Sequence, residues 1–206
     1  MSQIKLKHSG GNGVIIAAPS SNPAADRTIT LPDLTADATL STVDGVSVLD
    51  SYMLNATTTF ANDTETTIDS GFVRASTLLS TTGNIGTGVT KSGSNFSFPT
   101  TGIYQIVWRP ILAATNGNAA RYSAARMYAT TDNSSYSQVA EGNGSSPAMG
   151  NSSFSYSAPM AKYHFDVTNT STHKVQFRFI NDQSGSIIGG SSAVYTYATF
   201  MKIGET

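Results

Sequence analysis

The chain has 206 residues, enough for one sizeable β domain with a shorter appendage and no need of several cores. Only 12% of its residues are charged, about half the usual share, and 12 basic against 13 acidic side chains leave a formal net charge of −1. That balance excludes the basic footprint of a nucleic-acid binder. The absence of cysteine excludes a disulfide framework or thiolate metal site, and no run reaches the roughly 18 apolar residues of a membrane-inserting helix.

Serine, threonine, asparagine and glycine carry the polarity instead, which suits the wet faces of strands and long loops. The first thirty residues hold no apolar run of signal-peptide length, so synthesis in a cytosol is expected. In that setting, Asn-x-Ser/Thr tripeptides such as Asn55-Ala56-Thr57 and Asn169-Thr170-Ser171 are chance matches in a Ser/Thr/Asn-rich chain.

Residues 1–50 read as short extended pieces. Ile4-Lys5-Leu6-Lys7-His8 alternates apolar and polar, as a half-buried strand does. The turn signal Ser9-Gly10-Gly11-Asn12-Gly13 leads into Val14-Ile15-Ile16-Ala17-Ala18, which Pro19-Ser20-Ser21-Asn22-Pro23 interrupts. Arg27-Thr28-Ile29-Thr30-Leu31-Pro32 makes a third piece. Three strands of about five residues scarcely build a core alone. Ile4, Leu6, Val14, Ile15, Ile16, Ile29 and Leu31 are therefore expected to be buried against something else, making this segment an anchoring arm.

Residues 43–50 are compatible with a short strand or a single helical turn. From residue 51 onward the alternation is sustained, with strands expected at 57–60, 66–74, 95–98, 102–112, 120–130, 152–156, 163–167, 174–180 and 193–203. Val175, Phe177 and Phe179 are set to face one way, with Gln176 and Arg178 facing the other. No helix is expected between the strands, which excludes a βαβ architecture.

Pro99 and Gly102 bracket a sharp corner between Asn95-Phe96-Ser97-Phe98 and Ile103-Tyr104-Gln105-Ile106-Val107-Trp108, since proline removes a ladder donor and glycine permits positive φ. The pattern Phe-x-Phe-Pro-x-x-Gly-x-Tyr resembles the motif before the central strand of C1q-like and tumour-necrosis-factor-like jelly rolls. Tyr195-Thr196-Tyr197-Ala198-Thr199-Phe200-Met201-Lys202-Ile203-Gly204 resembles their closing strand. Lys202 departs from the pattern, standing where relatives are usually apolar, and leaves the depth of burial at that end open.

The resemblance implies an all-β chain: a short extended N-terminal β arm at residues 1–50, then an antiparallel jelly-roll sandwich at 51–206. It also implies a compact homotrimer that displays surfaces. In such trimers the closing strand lies near the threefold axis, which makes Tyr195, Tyr197 and Tyr104 the expected interface residues; ordinary core burial is the alternative.

Ile4-Lys-Leu-Lys-His-Ser-Gly-Gly-Asn-Gly-Val with Asp26-Arg-Thr-Ile-Thr-Leu-Pro32 resembles the opening of structural proteins from tailed phages of marine bacteria. That resemblance implies a place on a virion surface after synthesis in the host cytoplasm.

The residues assemble no chemistry. His8, His164 and His173 show no His-x-His or HExxH spacing, with or without Asp166 or Asp182, and no metal is expected. Asp63 and Glu65 share a strand face that suits a hard cation, but an ordinary solvated turn is the better reading. Serines lack a nucleophile elbow, and neither Gly83-Asn84-Ile85-Gly86-Thr87-Gly88 nor Gly189-Gly190-Ser191-Ser192 opens a helix that would cradle phosphate.

The expected function is thus a non-enzymatic virion structural protein without cofactor: a trimeric capsid decoration protein or head fibre. Its partners would be itself and other virion proteins such as the major capsid protein, with neither nucleic acid nor membrane insertion. The alternative is a short tail fibre or spike tip that binds a host surface glycan through loops at 116–118 and 136–146.

Overall fold

Side-chain alternation at period two organises this chain into antiparallel strands whose apolar faces close on each other. The computed structural model describes residues 3–7, 13–17, 46–80, 82–115, 118–150 and 154–206. The chain divides into two units, Met1–Thr42 and Val43–Thr206.

In the first unit, β1 (Gln3–Lys7) and β2 (Gly13–Ala17) form an antiparallel hairpin that pairs Ile4 with Ile16, Lys5 with Ile15 and Leu6 with Val14. These are the first two strands expected of the arm. The third, with Ile29 and Leu31, lies outside the described residues.

The second unit carries, in order, β3 (Leu49–Leu54), β4 (Thr58–Phe60), β5 (Thr66–Thr67), β6 (Phe72–Arg74), a single helical turn α1 (Ala75–Leu78), β7 (Thr90–Ser92), β8 (Asn95–Ser97) and β9 (Gly102–Arg109). There follow β10 (Leu112–Ala114), β11 (Ala120–Thr130), β12 (Ser137–Ser146), β13 (Ser155–Ser157), β14 (Ala161–Val167), β15 (Lys174–Asn181), β16 (Gly185–Ile187) and β17 (Tyr197–Gly204). One face of the sandwich is a five-stranded sheet in the order β14-β9-β17-β3-β6. Opposite it runs β12-β11-β15-β8-β7, with β5 added alongside β15. A smaller sheet, β13-β10-β16-β4, completes this jelly roll.

The core is aromatic. Tyr104, Ile106 and Trp108 point inward from alternate positions of β9, as do Val175, Phe177 and Phe179 from β15. The Phe96 ring meets those of Tyr52, Phe177 and Phe200 at centroid distances of 5.1, 5.0 and 5.4 Å. Burial of each such side chain stabilises the fold by roughly 1.5–3 kcal/mol. Trp108 keeps its indole N–H satisfied by donating to the Arg178 carbonyl at 2.8 Å.

The Pro99–Gly102 corner forms as expected. Gly102 has φ +137, and a Cβ there would lie 2.7 Å from the Gly204 carbonyl oxygen and collide with the Lys202 side chain. Lys202 itself is 8% exposed and its Nζ meets Glu205 Oε2 at 2.8 Å, so its stem is buried with its charge paired, while the next residue, Ile203, faces outward.

Several expected boundaries shift. The division between residues 50 and 51 falls inside β3, where Asp50 is fully buried and paired with Arg74 at 3.0 Å. The strand expected at 66–74 splits into β5 and β6, in different sheets, because Gly71 turns the backbone with φ +73. Pro110 divides 102–112 into β9 and β10, since proline cannot donate to a ladder. The closing strand begins at Tyr197, not at residue 193.

Residues 136–146, expected as a binding loop, contain the ten-residue strand β12. A Cβ at Gly142 would overlap the Met160 carbonyl, and one at Gly144 would lie 2.7 Å from Ser157 Oγ. Glycine here lets the edges β12 and β14 close against each other. That packing, and pairing with β11, make the strand.

Candidate self-association surface

The outward side chains of the five-stranded sheet are less polar than those of an ordinary wet face. Ile103 and Val107 on β9, Thr199 and Met201 on β17 and Leu49 on β3 are all half-buried. Cross-strand pairs join Val107 to Thr199, Thr199 to Ser51 and Met201 to Leu49. Charge gathers on the margin, where Lys162, His164 and Asp166 are exposed along the edge strand β14.

Tyr197 stands opposite Arg109, whose guanidinium lies 5.9 Å from the ring centroid. Its neighbours continue the apolar surface. Val194 lines a shallow depression with Ser51, Tyr197 and Thr199, while Tyr195 lines a groove with Ile111, Tyr156, Ala158 and Ile188. Tyr195 is 40% exposed, Tyr156 59% and Met160 54%. Phe154 adds a ring 6.4 Å from that of Tyr156.

Of the three tyrosines expected at a subunit contact, Tyr195 and Tyr197 reach this surface. Tyr104 does not. It is fully buried within its own sandwich, and its hydroxyl donates to the Thr100 carbonyl at 3.0 Å while meeting Thr100 Oγ1 at 2.9 Å. Inward alternation on β9 gives Tyr104 to the core and to the corner, not to a partner. Of the arm residues, Ile4, Leu6, Val14, Ile15 and Ile16 sit on the β1–β2 hairpin.

Tyr156 is among the strand aromatics for which the sequence leaves core packing and a subunit interface both open; Phe154 and Met160 are not singled out by it. The apolar-polar alternation of Phe154-Ser155-Tyr156-Ser157 signals a strand, but alternation alone leaves open which side is wet. Here Ser155 and Ser157 are buried and the aromatics face solvent. Ser157 Oγ is hydrogen-bonded to Ser123 Oγ, and Ser155 donates to the Asn118 carbonyl at 2.6 Å, which makes burial of the small hydroxyls tolerable.

The outer face of the six-stranded sheet carries the main charged cluster. Glu65 accepts from Arg126 at 2.7 Å and Arg178 at 2.9 Å, and Arg126 also donates to Glu141 at 2.7 Å. The Arg178 guanidinium sits 3.8 Å from the Tyr128 centroid. Burial raises the Glu65 pKa, but hydrogen bonds from Arg126, Arg178 and Tyr128 outweigh it and hold the carboxyl below the usual range. These charges neutralise one another, and the two guanidiniums occupy the Glu65 oxygens that a cation shared with Asp63 would need.

Among the described residues no group of three or more His, Asp and Glu side chains is arranged to hold a metal. His164 is exposed, whereas His173 is buried, stacked on Phe165 at 5.5 Å and within 3.2 Å of the Thr168 and Thr172 hydroxyls. The expected loop contact Tyr136 donates to Asn95 at 2.8 Å; Asn116 and Gly117 lie outside the described residues. No helix among the described residues is long and apolar enough to cross a membrane.

No protein-family model matches the chain, and no curated protein matches it in sequence. Among solved structures it is similar to the Eiger TNF of S. frugiperda, with a TM-score of 0.54 at 8% identity over 77% of this chain and 94% of that one. It is also similar to murine APRIL (TM-score 0.49, 9% identity, 76% and 98% covered) and to PRD1 vertex protein P5 (0.47, 20% identity, 77% and 99%). The fold is a TNF-like jelly roll.

Proposed function

We propose that this chain is a non-enzymatic structural protein of a bacteriophage virion, a homotrimeric capsid decoration protein or head fibre. The observation that carries the assembly reading is the exposed aromatic surface running from Phe154 and Tyr156 to Tyr195 and Val194. Clustered apolar surface of this kind marks an interaction site, and tyrosine is favoured at the centre of interfaces. The rim bearing Phe154 and Met160 differs from the sheet face bearing Thr199 and Met201, so a closed ring of identical subunits can bury both, each against the other's neighbour.

The place on a virion is supported by the N-terminal segment, whose sequence resembles phage structural proteins. In this reading the β1–β2 hairpin anchors to the major capsid protein, its two-stranded ribbon offering edges for strand addition. The jelly roll projects outward.

Sedimentation equilibrium of the full chain is expected to give about three times 21.6 kDa. A stable monomer at micromolar concentration overturns the trimer. Antibody labelling of intact particles is expected over the whole head; label confined to the tail would instead favour a fibre tip.

A further inference from the structure

Strand β4 is an outer strand of the four-stranded sheet, and β5 is laid along β15 of the six-stranded one. Between β4 and β5 opens a cleft of about 230 Å³, room for a single small ring. Its floor is apolar and buried, made by Leu54, Ile68, Phe179 and Ile187.

The rim is polar and short. Asn55, Thr58, Thr67 and Asp69 line it, and the side chains of these four have no hydrogen-bond partner among the described residues. Neighbouring hydroxyls differ: Thr57 is engaged with Gly189 at 3.2 Å and Thr66 with the Thr64 carbonyl at 3.4 Å. Backbone geometry brings the two ends of the rim together. The Asn55 N–H donates to the Gly71 carbonyl at 2.9 Å, and Gly71 has φ +73, which returns the chain beside Leu54 just after Asp69.

An apolar floor under a rim of one amide, hydroxyls and a carboxylate is complementary to a sugar ring, which has a C–H face and hydroxyl edges. The amide both donates and accepts, and a carboxylate accepts from two adjacent hydroxyls at once. Asp69 is the one charged side chain among the described lining residues, and the Lys91 ammonium lies outside the lining, donating to the Asp69 backbone carbonyl at 2.9 Å. A neutral ring that gives hydroxyls to the carboxylate therefore fits better than an acidic one that meets it. We propose that this cleft binds one ring of a neutral saccharide. Asp69 accepts from vicinal hydroxyls, Asn55 and Thr58 bond the remaining edge, and Ile68 and Ile187 meet the C–H face. The site shares no lining residue with the Tyr195 groove, and the proposal does not depend on the virion reading.

The test titrates the full ¹⁵N-labelled chain with D-glucose, D-galactose, D-mannose, N-acetylglucosamine and L-rhamnose, with D-glucuronic acid as the anionic control. At least one neutral sugar is expected to shift the amides of Asn55, Thr58, Thr67 and Asp69 and to saturate in the millimolar range. Thr58→Trp fills the mouth and abolishes those shifts, while Asp69→Asn weakens binding about tenfold. Both positions are exposed, so melting temperatures stay at the wild-type value. The proposal is overturned if no neutral sugar moves these amides, if the shifts survive Thr58→Trp, or if glucuronic acid binds as well as the neutral sugars.

Discussion

Glu65 accepts a hydrogen bond from Arg178 at 2.9 Å across 113 residues of sequence. With the second bond from Arg126, this contact ties the start of the short strand β5 to β15 and β11 on the outer face of the sheet they share. Glu65→Gln is expected to lower stability by about 1.5–3 kcal/mol, since charge-assisted hydrogen bonds are lost and two guanidiniums lose a counter-charge. The folded carboxyl titrates below its ordinary value, so its contribution is complete above the unfolded pKa and disappears as pH falls through the folded one. Urea unfolding of the variant should therefore show a shallower loss of stability between about pH 5 and pH 3 than the wild type. Equal slopes would remove Glu65 from the acid response.

Gly102→Val is expected to destabilise by at least about 3 kcal/mol. A β-branched residue at φ +137 is strained, and its Cβ meets the Gly204 carbonyl and the Lys202 side chain. A wild-type melting temperature would show that the corner relaxes without cost.

Substitutions on the exposed surface should separate assembly from folding. Tyr195→Glu and Tyr156→Glu are expected to shift sedimentation toward the monomer while the melting of the monomer stays near wild type, because each places an unpaired charge where apolar rings would meet. Tyr104→Phe is expected to do the reverse: unchanged association, with about 1 kcal/mol lost through the missing bonds to Thr100. Dissociation by Tyr104→Phe alone would reverse the assignment.

The start of the sandwich is open to truncation. Removal of residues 1–45 is expected to leave a cooperatively folding jelly roll that, on the proposed anchoring role of the hairpin, no longer attaches to particles. Removal of residues 1–50 also takes away buried Val48 and Asp50 and leaves the partly exposed Arg74 guanidinium without its counter-charge, so it is expected to melt at a lower temperature than the 46–206 chain. Thermal melts of the two truncations decide this; coincident curves would mean that residues 46–50, the Asp50–Arg74 pair included, add nothing. Wild-type occupancy of particles by the shorter chain would place anchoring in the jelly roll.

Much of the fold was legible because period-two alternation is local. Phe177 and Phe179 declare the inner face of β15 whatever lies opposite, and Pro99 with Gly102 declares the corner through backbone sterics alone. The β12 strand was not legible. Its Ser-, Gly- and Asn-rich residues have turn chemistry, and only the approach of Met160 and the ladder with β11 make them a strand.

The surface divides in the same way. Composition established that this chain carries few charges and no cysteine, properties that no fold can alter. Which tyrosine faces outward was a matter of strand register: Tyr104 and Tyr197 read alike, yet one lies in the core and the other on the open sheet. A shift of one residue exchanges the two faces, and register is set by pairing between distant strands. The charged cluster and the cleft follow the same logic. Glu65 meets Arg126 and Arg178, and Asn55 and Asp69 line one cleft, because sheet packing and a turn at Gly71 bring them together; nothing in their spacing along the chain announces it.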